Sequence, residues 1–244
     1  MDNISEVFST LSSGSIVLAQ DPFSTSAGER SLSNNNVPEA LSINASWAMP
    51  WLKNSQHWYN RMAGGWTIGV FEVAQAGRPM TVVQQNTNVN PLEDAAADSL
   101  IGGGDALRPF LSSSSAPLNT VGEYLTNGTL VNLANTSQIV TPSSVHWIYN
   151  NLAADKVYGT PFGVGRNTLT APMTQNFDMS IYKDFSIHEK WRVEVRAEAS
   201  NALNHPSYKV PNLYADVSTA TTFLNPTSTE TAPRIIKMGF KLLF

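Results

Sequence analysis

The last eleven residues, Arg234 to Phe244, restrict what this chain can fold into more than any other stretch. Ile236, Met238, Phe240, Leu242 and Phe244 occupy alternate positions, with Lys237, Gly239 and Lys241 between them. Successive side chains of a strand point to opposite faces, so this segment has one wholly apolar face and one mostly polar face. It ends on an aromatic residue, where a strand of a water-soluble domain would ordinarily fray. A strand with lipid on one side and a wet interior on the other needs this pattern, over about 9–11 residues.

Four more segments alternate in the same way. The first runs from Ala40 to Met49, with Leu41, Ile43, Ala45, Trp47 and Met49 on one face. The second runs from Gly65 to Gln75 and is expected to continue past a Gly77-Arg-Pro79 kink into Met80–Val83. The third covers Asn176–Lys183, with Phe177, Met179 and Ile181 opposite Asp178, Ser180 and Tyr182. The fourth covers Lys190–Ser200, and it discriminates sharply. Arg192, Glu194, Arg196 and Glu198 follow one another on one face, while Trp191, Val193, Val195, Ala197 and Ala199 fill the other. A helix would scatter those charges around its circumference.

Connection lengths add a topology. A turn at Asp184–Glu189 joins the third and fourth segments, and Pro50–Gly64 joins the first two. Between the second and third lie about ninety residues rich in Gly, Pro, Ser, Thr and Asn, a length that ordinary compact domains do not leave irregular. Short turns at one end and long loops at the other are the habit of outer-membrane barrels. If Phe244 lies at the periplasmic end, every short connection is periplasmic and every long one extracellular. Trp47, Trp51, Trp66, Trp191 and Phe244 then share the periplasmic strand ends, where amphipathic rings favour the membrane–water interface.

The expected fold is therefore all-β: an antiparallel transmembrane β-barrel segment of about five long strands, an open piece of a larger barrel with long irregular extracellular loops. Its interior ladder would be Asp178, Arg192, Glu194, Arg196, Glu198, Lys237 and Lys241. Cross-strand charge pairing suggests Asp178 opposite Arg196, Ser180 opposite Glu194 and Tyr182 opposite Arg192. For the last two strands, parity and charge select Glu194 opposite Lys241, Glu198 opposite Lys237, Arg196 opposite Gly239 and Trp191 opposite Phe244.

Composition agrees. Charged residues make up 14% of the 244, against roughly 25% in soluble domains. There is no cysteine, hence neither disulfide nor thiolate metal site. A net charge of -4 speaks against a nucleic-acid partner. No apolar run is long enough for a membrane helix. Gly14–Gln20 lacks the basic flank and apolar length of a signal peptide. His57, His146, His188 and His205 have no metal-ligand spacing, and there is no G-x-S-x-G elbow. Gly102-Gly-Gly104 and Gly163-Val-Gly165 are loop glycines rather than phosphate loops. The expectation is no catalytic residue, no cofactor and no metal.

Several passages also resemble, in order, the C-terminal part of TonB-dependent receptors of the large Oar-like kind common in Acidobacteria. They are Gln20-Asp-Pro-Phe23 with Gly28–Ser33, and Gly64-Gly-Trp66 with Ala74–Pro79 and Thr81-Val82. Gly163–Asn167, Asn176–Ser180 with Lys183–Ile187, and Arg196–Pro206 follow. The resemblance spreads over nearly the whole chain. It implies an outer-membrane location and a barrel wall that contacts lipid, the rest of the barrel and a plug, with TonB acting through the plug. It also implies that Ile236, Met238, Phe240, Leu242 and Phe244 form the strand read by the barrel-assembly machinery. The family's plug and TonB box have no counterpart in residues 1–244, so transport by this chain alone is not expected. The contrasting expectation is a secreted or surface β-rich binding or adhesion protein without transport; an outer-membrane enzyme would need a convergent His/Asp/Ser cluster.

Overall fold

The structure is a computed structural model. It describes residues 20, 28, 30–33, 35–51, 57–84, 108–160, 162–188, 191–215 and 220–244. Its elements are β1 (Ala40–Ala48), α1 (Trp58–Ala63), β2 (Thr67–Gln75), β3 (Pro79–Met80), β4 (Phe110–Leu111), β5 (Val121–Tyr124), β6 (Leu130–Asn132) and β7 (Asn135–Ile139). A 3-10 turn (Pro142–Ser144), β8 (Trp147–Ile148), α2 (Leu152–Tyr158), β9 (Leu169–Thr170), β10 (Thr174–His188), β11 (Trp191–Ser200) and β12 (Ile235–Leu243) complete the series.

The chain divides into two compact units. The sheet unit comprises Val37–Gly77, Pro172–Tyr208 and Ser228–Phe244. Its five strands lie in the order β1-β2-β10-β11-β12, each antiparallel to its neighbour. All five alternating segments are thus strands, and the all-β antiparallel fold class holds. Every buried hydrophobic residue among those described belongs to the other unit. The sheet covers neither of its faces: Met238, Phe240 and Phe244 are 80%, 78% and 92% exposed. An antiparallel sheet in water hides its apolar face on a core; a bare one of this extent marks contact with lipid or another partner.

The register of β11 on β12 is the expected one. Glu194 faces Lys241, Glu198 faces Lys237, Arg196 faces Gly239 and Val195 faces Phe240. Trp191 and Phe244 continue it, with ring centroids 5.9 Å apart. The register of β10 on β11 differs from expectation. Arg196 pairs with Tyr182 rather than Asp178, Glu198 with Ser180, Arg192 with Ser186, and Asp184 with Glu194. The expected turn at 184–189 is largely strand, because β10 continues to His188 with a bulge between Ser186 and His188. The observed register extends regular pairing as far as Ser186 with Arg192 and gives up the expected charge pairs.

β2 ends at Gln75 instead of continuing past the kink. Pro79–Met80 pairs with Leu169–Thr170, and Val82 and Val83 are fully buried in the core unit. That unit, Met1–Asn36, Arg78–Ala171 and Lys209–Thr227, contains most of the stretch expected to be irregular. It holds a second five-stranded sheet, β4-β8-β5-β6-β7, in which β5 and β8 run parallel. Val82, Val121, Leu133, Trp147, Tyr149 and Phe223 form one apolar cluster; Phe110, Leu130, Val145, Ile148 and Ala154 form another. Strands of two to five residues are too short to carry a readable alternation, so this unit was invisible as periodicity.

Candidate functional site

The polar face of the sheet unit centres on Arg196. Its Nε lies 3.0 Å from Glu194 Oε1 and its Nη1 lies 3.3 Å from Glu198 Oε1. The three are on one strand, two residues apart, and so share a face. Gly239 makes room for this arrangement across the strand pair: a Cβ there would lie 3.3 Å from Arg196 Cγ and 3.6 Å from Cδ. Lys241 and Lys237 sit opposite the two glutamates. The candidate ladder residues on β11 and β12 are therefore brought together as one charged strip.

Asp178 is not part of that strip. Its Oδ1 accepts from Asn176 Nδ2 at 3.0 Å and from the backbone N–H of Asn201 at 2.9 Å. Asn201 is a residue to which sequence reasoning gave no role. It is buried, has φ +48°, donates from Nδ2 to His205 O and Ala232 O, and accepts from His205 N–H. Asn204, at φ +52°, accepts from Arg234 N–H. Asparagine is among the few residues that tolerate this backbone region. The Arg196–Pro206 passage thus staples the exit of β11 to the approach of β12. The signal that could have found it was the pair of asparagines just past a strand end.

On the apolar face, the aromatics gather at the end of the short connections. Trp47 lies near the end of β1, Trp66 just before β2, Trp191 at the start of β11 and Phe244 just beyond β12. Trp47 and Trp51 meet edge to face at 5.2 Å. Trp66 meets Phe185 edge to face at 6.3 Å and donates its indole N–H to Met62 O at 3.2 Å. Lys183, missed by sequence reasoning, lies on this apolar side, between the levels of Ile181 and Phe185. It is 6% exposed and its ammonium donates to Met62 O and Gly64 O.

The core unit presents an open pocket of about 410 Å³, lined by Glu123, Tyr124, Leu125, Asn127, Asn151 and Leu152 among others. Asn151 caps α2, accepting from Ala153 N–H and Ala154 N–H, and donates to Tyr124 O at 3.1 Å. Burial pushes the Glu123 carboxyl above its usual range, partly offset by a hydrogen bond from Asn151. Burial alone raises Asp155. His146 is structural: its Nδ1 lies 3.0 Å from Ala116 O and its ring tilts against Trp147.

A sheet with one exposed, mainly apolar face, a charged strip on the other and no buried hydrophobic residue among those described is a piece of the wall of a membrane-spanning β-barrel. The chain belongs to the outer membrane beta barrel domain family, which it matches over residues 1–237. It is an outer-membrane protein. Comparison with curated proteins gave no match, and neither did comparison with solved structures.

Proposed function

We propose that this chain forms part of the wall of a TonB-dependent outer-membrane transporter or receptor. The observation that carries the reading is the bare apolar face of the five-stranded sheet, backed by a charged face and interrupted between β2 and β10 by a folded unit. On this reading, the apolar face meets lipid. Arg192, Glu194, Arg196, Glu198, Lys237 and Lys241 line the wet interior, toward a plug through which TonB acts. Trp47, Trp51, Trp66 and Trp191 sit at the periplasmic interface, and the β12 segment ending at Phe244 is recognised by the barrel-assembly machinery. The long connections, between β2 and β10 and between β11 and β12, are then extracellular. Hydrocarbon does not tolerate unpaired strand edges, so β1 and β12 pair with further strands of the barrel.

The orientation is tested by maleimide labelling of whole cells carrying Ser113→Cys or Ser186→Cys. Labelling at Ser113 and not at Ser186 is expected; the opposite pattern overturns it. The transport reading is tested with a photocrosslinker at Lys237. A crosslink to a plug within the receptor is expected. A second reading, a surface binding or adhesion protein without transport, draws on the core and pocket that the core unit possesses by itself. An outer-membrane protein with no plug crosslink at Lys237 would favour it and refute transport.

A further inference from the structure

The connection between β1 and β2 is not a plain turn. We infer that it is an outward-folded foot whose short helix α1 lies in the phospholipid leaflet at the short-connection end of the barrel. The inference rests on reading the apolar face as the lipid face.

Where α1 lies is fixed by Lys183. By parity it belongs to the apolar row of β10, with Met179, Ile181 and Phe185. A lysine on a lipid-facing row is costly at mid-membrane and becomes tolerable only near an interface or when covered. Here it is covered. Its ammonium donates to the carbonyls of Met62 and Gly64 at the C-terminal end of α1, where a cation complements the unpaired carbonyls. The rings of Phe185 and Trp66 flank it, their centroids 4.8 and 5.7 Å away. Trp66 binds the same Met62 carbonyl, so strand and helix share a junction. Lys183 therefore holds the C-terminal end of α1 on the apolar side of the sheet rather than on its charged side.

Once there, the helix takes the place of the surface it covers. Trp58, Tyr59 and Met62, at helical positions i, i+1 and i+4, are 76%, 53% and 53% exposed. The Trp47–Trp51 pair is exposed as well. Trp51 extends the apolar row of β1 past its end through Trp47, and Lys183 ties the end of α1 to the apolar row of β10; that continuity with the apolar face identifies the occupant as lipid. Tryptophan and tyrosine suit the depth where acyl chains meet headgroups.

The test uses the intact protein in phospholipid bilayers. The chain has no cysteine of its own. Nitroxides are attached to Met62→Cys, Trp58→Cys, Met238→Cys on the sheet's apolar face, and Ser114→Cys as an aqueous reference. Each variant is checked for heat-modifiable mobility, and Tyr59→Cys replaces any α1 variant that does not fold. Oxygen collisions exceeding those of a water-soluble nickel chelate are expected at Met62, Trp58 and Met238, with the reverse at Ser114. Nickel exceeding oxygen on α1 while Met238 remains lipid-like overturns the foot and spares the lipid-face reading. Low accessibility to both relaxants on α1 means a protein cover, and also overturns it. Nickel exceeding oxygen at Met238 removes the lipid-face reading and the foot together.

Discussion

Substituting Gly163 by alanine tests how the core unit is held together. Gly163 lies against the backbone of residues 108–109: a Cβ built on it would sit 1.9 Å from Arg108 O, 2.5 Å from Arg108 C and 2.6 Å from Pro109 O. Carbon and carbonyl oxygen stay about 3.3 Å apart or more, so the segments must separate by more than about 1 Å. The clashing atoms are hydrogen-bonded backbone and cannot rotate away. Val164 N–H donates to Pro109 O at 2.9 Å, and Asn150 Nδ2 donates to Arg108 O at 3.2 Å. On its other side, Gly163 N–H donates to Gln20 Oε1 at 2.7 Å, while Gln20 Nε2 donates to Val164 O at 3.0 Å. Losing two or three such bonds, with buried groups orphaned, costs about 2–4 kcal/mol, less about 0.4–1 kcal/mol for the stiffer unfolded chain.

The comparison is Gly159→Ala, at φ +70° with nothing within 4 Å of the added Cβ. It meets only the left-handed backbone penalty of about 1–2 kcal/mol. Hydrogen–deuterium exchange on peptides covering residues 109–124 and 162–170 separates the two. Gly163→Ala should lose protection by about 5- to 400-fold, at tenfold per 1.4 kcal/mol. Protection no lower than in Gly159→Ala would refute the steric reasoning.

Four further outcomes are expected. Lys241→Glu sets a carboxylate opposite Glu194 and should destabilise the barrel to urea by about 0.5–2 kcal/mol, more than Lys241→Met; equal losses would count against electrostatic pairing there. Asp184→Asn relieves the repulsion from Glu194 across β10 and β11 and should raise stability by about 0.2–1 kcal/mol; a loss would contradict the observed register. Phe244→Asp should reduce the heat-modifiable barrel in the outer membrane with synthesis unchanged, and a normal yield would speak against its role in assembly. Because burial raises Glu123 and Asp155, the folded core unit binds protons more readily than the unfolded chain. Their contribution to its stability should therefore be fully present below the usual carboxylate range and be lost as pH rises through the raised values; a thermal-shift profile unchanged by Glu123→Gln with Asp155→Asn would refute this.

The parts of the fold that were legible in the sequence are those with long, strict alternation. β11 and β12 alternate from end to end, and parity with charge left one register for them. The core unit was illegible for the opposite reason. Its strands span two to five residues, and its clusters join residues as distant in sequence as Val82, Trp147 and Phe223. Turns such as Asn127–Thr129 and Asn132–Ala134, closed by asparagine side chains, resemble those of an unstructured loop. At the candidate site, the charged strip was visible as a pattern. Lys183 was not, because a lysine on an apolar row looks like the end of a strand until the helix that covers it is known.

The β10–β11 register shows which force wins when two rules compete. The expected and observed registers differ by four residues, so both keep apolar side chains on one face and parity cannot choose. Charge pairing favoured the first, by about 0.2–1 kcal/mol per pair. What the observed register provides is stagger. The row of partners that begins at Ala48, the last residue of β1, runs through Thr67, Tyr182 and Arg196 to Gly239. It starts at the ends of β1 and β2 and finishes well inside β11 and β12. The expected register would have placed Tyr182 opposite Arg192, leaving β2 and β11 almost level. A level sheet has no shear, and a barrel closes only when its strands tilt and their register is staggered. The extension of β10 to His188 supplies that offset within one hairpin. The result places Asp184 against Glu194, a repulsion moderated by Arg196 at 3.0 Å and by Lys241 on the far side. Local charge pairs are small, screened terms in a wet interior; the geometry of closure acts on every strand at once, and in this sheet it decides.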